Sequence, residues 1–251
     1  MKIALLADLH ANRQATEAVW AHAQAQNIDQ VALLGDYVDY GADPAWVVDF
    51  CRDLVRQGAL AVRGNHDDAM TPGTTSHMSD HVLPTLQWTE AQLQPDQKEW
   101  LANLLLSAEL GSCLFVHANV YDPAHWEYVH GRMEASRSLF ATTHQFVFCG
   151  HVHEPKLYHV SQTGKSGDFT PVDATPMPLS QARRWLAIPG SLGQPRDGNP
   201  AACYATFDTD RALLTFFRVP YDNEMAAHRV LTSGMPADVA QALAERLIDG
   251  C

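Results

Sequence analysis

The chain lacks an apolar run long enough to cross a membrane, lacks cysteines paired at metal-clip spacing, and is short of positive charge. Each shortage removes a class of protein. The opening Met1-Lys2-Ile3-Ala4-Leu5-Leu6-Ala7 is cut by Asp8 before it reaches the length of a secretory signal, so a cytoplasmic address is expected, with no membrane partner. Cys51, Cys113, Cys149, Cys203 and Cys251 are scattered and odd in number, which argues against a disulfide framework or a structural zinc site and for a reducing compartment. Lys and Arg total 17 against 29 for Asp and Glu, a formal net charge of -12, so the bulk field repels nucleic acid and anionic lipid. What remains is 251 residues, 46% hydrophobic and 18% charged, suited to one domain over residues 1–251 with a sizeable core.

In the first third, apolar runs of strand length alternate with helical patterns, which predicts a parallel sheet with crossover helices. Lys2 to Ala7 reads as a strand. Ala15, Ala18, Val19, His22 and Ala23 recur at three- and four-residue spacing, so Arg13 to Gln26 reads as the helix returning to a second strand, Gln30 to Leu34. Pro44 opens a second helix that Gly58 ends, and Leu60 to Arg63 is a third strand leading into Gly64-Asn65-His66. Asp8, Asp36 and Asn65 therefore follow strand C-termini, the edge where open α/β sheets gather their sites.

The second half predicts shorter strands at Cys113–His117, Gln145–Cys149, Leu157–Val160, Trp185–Ile188, Ala202–Phe207 and Ala212–Val219, forming a partly antiparallel second sheet. Helices are expected over Thr89–Leu106, Arg132–Thr143 and Pro236–Asp249. Ser161–Ser180 reads as a surface loop and Met70–Pro84 as an irregular stretch whose His77 and His81 face solvent. Gly164-Lys165-Ser166 is loop rather than a phosphate loop, because His159 stands where the earlier glycine is required.

Five short pieces carry the chemistry: Asp8-Leu9-His10, Gly35-Asp36, Gly64-Asn65-His66, His117 and Gly150-His151-Val152-His153, with Asp39 close behind Asp36. Singly they are turns, caps or core histidines. Together they supply two carboxylates, one carboxamide and four imidazoles, a donor set for two divalent cations. If the backbone is extended there, Asp8 with His10 and His151 with His153 point two ligands to one face. Glycines beside the ligands allow close approach of the chain to an ion.

In this order the motifs resemble those of the calcineurin-like metallophosphoesterases, from Asp8 to His153, most of all the small bacterial and archaeal phosphodiesterase-like members, to which Pro189-Gly190-Ser191-Leu192-Gly193-Gln194-Pro195-Arg196 is also similar. The resemblance implies a four-layer α/β/β/α sandwich with two mixed β-sheets. It implies one metal on Asp8, His10, Asp36 and His153, and another on Asp36, Asn65, His117 and His151. Manganese is expected first, with iron, zinc, nickel or magnesium as alternatives. A water or hydroxide bridging the two metals would attack a phosphate ester in line, and His66, oriented by Asp39, would protonate the leaving oxygen. Some small members carry cysteine at the His66 position, so histidine here favours a less activated leaving group.

Protein phosphatases of the superfamily continue with a phosphate-gripping arginine where this chain has Tyr40. Small-molecule phosphodiesters or phosphomonoesters, nucleotides among them, are therefore the expected substrates. Asn12, Arg63 and Arg196 are the candidate phosphate contacts, although Arg196 could equally hold its own loop. Trp126 and Tyr128 could wall a pocket or simply pack. A phosphoprotein phosphatase, a nuclease of the same superfamily and a non-catalytic scaffold are the alternatives. Drift to a scaffold would erode ligands, and the set here is intact.

Overall fold

A computed structural model describes residues 1–71 and 82–251, so residues 72–81 of the Met70–Pro84 stretch, His77 and His81 among them, lie outside the described residues. The first half runs β1 (Lys2–Leu6), α1 (Arg13–Ala25), β2 (Gln30–Leu33), α2 (Pro44–Arg56), β3 (Leu60–Ala61), α3 (Asn65–Asp68), α4 (Leu83–Gln92) and α5 (Pro95–Ala102). Then follow β4 (Ser107–Leu110), β5 (Cys113–Val116), α6 (Arg132–Phe140), β6 (Phe146–Phe148), β7 (Lys156–Ser161), β8 (Ser166–Phe169), β9 (Met177–Pro178) and β10 (Arg183–Ile188). The chain closes with β11 (Ala202–Asp208), β12 (Leu213–Val219), α7 (Asn223–Leu231) and α8 (Ala237–Asp249).

Two six-stranded mixed sheets result, ordered β3-β2-β1-β11-β12-β9 and β4-β5-β6-β10-β7-β8. Strand β1 is parallel to β2 and antiparallel to β11, so it lies inside its sheet and is covered on both faces. That explains its unbroken apolar run. Its alternation sends Ile3 and Leu5 into the layer between the sheets, against Phe146, Phe148 and Phe207, while Leu6 joins Val19 and Val47 of the flanking helices. On the far face of the second sheet, Leu114, Val147 and Leu186 bury against Ala135 and Leu139 of α6. The order is helices, sheet, sheet, helix, as the resemblance implied.

Several expectations need correction. Thr89–Leu106 is not one helix: Pro95 has no N–H to continue α4, holds Gln94 in extended backbone (ψ 155°) and opens α5, with Gln97 bonded back to the Gln94 N–H at 3.0 Å. Ser107–Leu110 then forms an edge strand on β5, where no strand was expected. The Ser161–Ser180 loop contains β8 and β9, edge strands with too few buried residues to stand out in a polar stretch. The third strand is shorter than expected, with Val62 making only a bridge to Leu105. The final helix ends at Gly250, which takes the left-handed φ of 70° that suits a C-cap glycine. Among the described residues no helix is long and apolar enough to cross a membrane.

Candidate dinuclear metal centre

The loops leaving β1, β2, β3, β5 and β6 meet at one edge of the two sheets. There Asp8, His10, Asp36 and His153 form one buried group, and Asp36, His117 and His151 a second, each with its donor atoms within 4.8 Å of one another. Asp36 belongs to both. Asn65 joins the second group, its Oδ1 3.1 Å from His117 Nε2.

The backbone reaches this arrangement differently from the extended geometry the spacing suggested. Asp8 (φ 55°), His10 (45°), Asp36 (55°), His151 (68°) and His153 (67°) all lie in the left-handed region. Asp and His tolerate that region better than most residues, but each costs on the order of 1 kcal/mol. Five such residues at one edge mark a place where the fold holds backbone strain. Two glycines let the loops close. A Cβ on Gly64 would sit 2.1 Å from Asp36 Oδ1, and one on Gly150 would sit 2.7 Å from Asp8 Oδ2.

Each imidazole is oriented by a main-chain carbonyl. His10 Nδ1 faces Val38 O at 3.1 Å and His153 Nδ1 faces Gln194 O at 2.6 Å. A carbonyl only accepts, so both Nδ1 atoms carry the proton and both Nε2 atoms present lone pairs. Those Nε2 atoms are 3.1 Å apart. Burial holds His10 and His153 well below the ordinary histidine range, so in the neutral rings two lone pairs face each other with no proton between them. A cation there, with Asp8 Oδ1 and Asp36 Oδ2 each 3.7 Å from one of these nitrogens, resolves the repulsion.

The second group follows the same plan with one difference. His117 Nδ1 donates to Leu34 O at 2.7 Å, and His151 Nε2 donates to Trp126 O at 2.9 Å, so His117 Nε2 and His151 Nδ1 meet at 3.2 Å. Burial opposes charge on His117, but Asp36, whose Oδ2 is 3.2 Å from Nε2, holds its pKa up at about 9. Burial and the neighbouring His117 lower His151 to about 3. A cation held beside Asp36 by His117 and His151 would take the place of the proton that Asp36 favours on His117. Burial also pushes Asp8 up to about 7, a carboxylate in need of a counter-charge.

Around these groups the other expected site residues divide. His66 Nδ1 donates to the buried Asp39 Oδ2 at 2.7 Å, and the His66 ring lies 5.0 Å from that of His10. Burial works against a charged His66, yet Asp36 and Asp39 outweigh it and raise its pKa. Arg196 directs Nε and one Nη at Gln194 Oε1 (3.2 and 2.9 Å), and its Cζ lies 5.7 Å from the centre of the Tyr40 ring. The structure does not bring Asn12 or Arg63 into this set. Asn12 Oδ1 caps α1 by accepting from Ala15 N, and its amide donates to Gly193 O and the Tyr221 hydroxyl, which uses both of its protons. Arg63 donates to Ala102 O and pairs with Asp68.

Two neighbours, Asp67 and Thr89, escaped sequence reasoning, while Tyr128 was weighed there as pocket wall or packing. Asp67 accepts from the main-chain N–H groups of Asp36, Tyr37 and Gly64 at 2.8–2.9 Å and so ties two ligand loops together. Thr89 lies 3.5 Å from Asp39. Tyr128 stacks on His151 with ring centroids 3.9 Å apart while staying 40% exposed, which makes it wall rather than core. Only Asp67 had a signal, its position directly after Gly64-Asn65-His66.

The domain model of the calcineurin-like phosphoesterase superfamily matches residues 1–212, and the chain belongs to that superfamily. It is a metal-dependent phosphoric ester hydrolase. A metallophosphoesterase from Sphaerobacter thermophilus superposes with a TM-score of 0.84 at 30% identity, covering 100% of this chain and 99% of the other. The hypothetical protein PH1004 from Pyrococcus horikoshii superposes at 0.76 with 18% identity, covering 96% and 97%. An uncharacterized protein of Methanocaldococcus jannaschii, MJ0912, is 29% identical over 253 residues, 99% of this chain and 98% of that protein.

Proposed function

We propose that this enzyme hydrolyses small-molecule phosphodiesters or phosphomonoesters, nucleotide esters among them, using Asp8, His10, Asp36 and His153 for one divalent cation and Asp36, Asn65, His117 and His151 for the other. Diesters have the edge and manganese is the first-choice metal. The observation that carries the reading is the buried Asp36 shared by two groups of imidazoles, the first of which turns the lone pairs of His10 and His153 toward each other without a proton to share. When bound, the cations would acidify the attacking water and offset charge on the phosphoryl oxygens.

The chain's own groups supply the rest. His66, protonated and held through Nδ1 by Asp39, presents Nε2 to the leaving oxygen and gives it a proton. Arg196 adds a fixed positive charge beside the cluster for the phosphate itself. Tyr40, packed between the His10 and His66 rings at 4.6 and 4.7 Å, occupies the position where the protein-phosphatase branch has arginine, which supports a small substrate over a phosphoprotein. Residues 1–251 act as one domain, a reading supported by the Asn12–Tyr221 hydrogen bond between the two ends of the chain. A cytoplasmic address is supported by the free, buried thiols of Cys51, Cys113, Cys149 and Cys203.

A substrate panel on metal-stripped protein tests the reading. Aryl and alkyl phosphodiesters, phosphomonoesters, nucleotides and cyclic nucleotides are assayed with manganese, nickel, zinc and magnesium added singly. The expected result is manganese-dependent hydrolysis with diesters ahead. Equal rates with and without metal, or activity confined to phosphopeptides, would overturn it.

A further inference from the structure

Gln194 touches two parts of the site with two different groups. Its main-chain O accepts from His153 Nδ1 at 2.6 Å and sets that ring's tautomer. Its side-chain Oε1 accepts from both Nε and one Nη of Arg196. Two donors on one oxygen fix the plane of the guanidinium. The Tyr40 ring lies 5.7 Å from the Arg196 Cζ and flanks the guanidinium.

The segment carrying Gln194 is itself stitched to the Asp8 loop. Ser191 Oγ donates to Asp8 O at 2.8 Å, Gly193 N donates to the same oxygen at 2.9 Å, and the Gln194 N–H returns to Ser191 Oγ at 2.8 Å. The Gln194 amide is thus a buried, pre-aimed support in register with the ligand loop. The Arg196 Cζ lies 5.7 Å from the Tyr40 ring, which itself packs 4.6 Å from the His10 ring and 4.7 Å from the His66 ring, so the guanidinium sits beside the cluster and not only within its own loop. A flexible arginine would lose rotamer freedom on gripping an anion, and Gln194 removes that loss beforehand.

We propose that Gln194 is a positioning residue that aims Arg196 at the phosphate of the substrate through its side chain, while its backbone independently orients the metal ligand His153. The proposal rests on the two-cation reading of the site. It makes the Gly190–Arg196 loop the phosphate-selecting element of this enzyme, in the role that the residue at position 40 cannot fill as tyrosine.

The test is a double-mutant cycle of Gln194→Ala and Arg196→Met, read by manganese uptake, by inorganic phosphate affinity of the manganese-loaded protein, and by kcat and KM on an aryl phosphodiester. Alanine keeps the carbonyl that orients His153, so Gln194→Ala should take up manganese like the wild type. Arg196→Met should weaken phosphate binding on the order of 10-fold or more, the scale of a lost charge-assisted hydrogen bond. Gln194→Ala should produce a good part of that loss, mainly in KM, and the double variant should be no worse than Arg196→Met alone. Additive losses, wild-type phosphate affinity in Gln194→Ala, or loss of manganese uptake in that variant would overturn the proposal. A wild-type protein that takes up no manganese would instead overturn the two-cation reading on which it stands.

Discussion

Asp39→Asn tests the proposed proton-delivering half of the site. The substitution keeps shape and burial but removes the charge 2.7 Å from His66 Nδ1. Asparagine can still accept the Nδ1 proton through its amide oxygen, so the ring's orientation survives and only the stabilisation of the charged imidazole falls. A hydrogen bond to a charged group contributes about 1.5–3 kcal/mol, which at 1.4 kcal/mol per decade is about 10- to 100-fold on any step that needs protonated His66. Asp39, bonded to Nδ1, raises the His66 pKa, so the acid form persists toward higher pH in the wild type and is lost as pH rises past that raised value. Removing Asp39 moves this basic limb to lower pH. The assay is kcat across phosphodiesters of graded leaving-group pKa, each over a pH range with saturating manganese. Poor leaving groups should lose the most, with the basic limb displaced downward, and good ones should change little. An equal loss for every leaving group, or an unmoved basic limb, would refute the acid role for His66.

Two further outcomes follow from the same geometry. Gly64→Ala drives a methyl group into both Oδ1 and the main-chain N of Asp36, so the Asp36 loop must shift and the variant should bind manganese at least 10-fold more weakly by calorimetric titration; undiminished affinity would count against the close approach. Chelation should lower the melting temperature and manganese should restore it, because a ligand at 100 times its dissociation constant stabilises the folded state by about 2.7 kcal/mol. A melting temperature indifferent to both would mean that no cation is held by the native fold.

Much of this site is readable from residue order because strand-end ligands sit in short, repeated motifs. Asp8, Asp36 and Asn65 follow apolar runs, and buried parallel strands advertise themselves by their length and lack of polar residues. The paired edges were harder. Strands β4, β8 and β9 are short and half-exposed, so their pairing depends on partners distant in the chain. The reason for the ligand geometry was also hidden, because left-handed backbone at five ligands leaves no periodic trace. Main-chain carbonyls that orient the imidazoles carry no sequence signature at all, so Val38, Leu34, Trp126 and Gln194 became visible only in three dimensions. Arg196 could be nominated by type, but its tie to Gln194 could not.

Manganese stoichiometry in wild-type and Asp36→Ala protein tests the central claim most directly. Metal-stripped protein is titrated with Mn²⁺ by calorimetry, and the loaded sample is examined by electron paramagnetic resonance for coupling between neighbouring ions. Because Asp36 belongs to both donor groups, the wild type should bind two ions per chain with a coupled signal, and Asp36→Ala should lose the coupling and bind both ions far more weakly. A single uncoupled ion in the wild type, or two coupled ions retained without Asp36, would contradict the account.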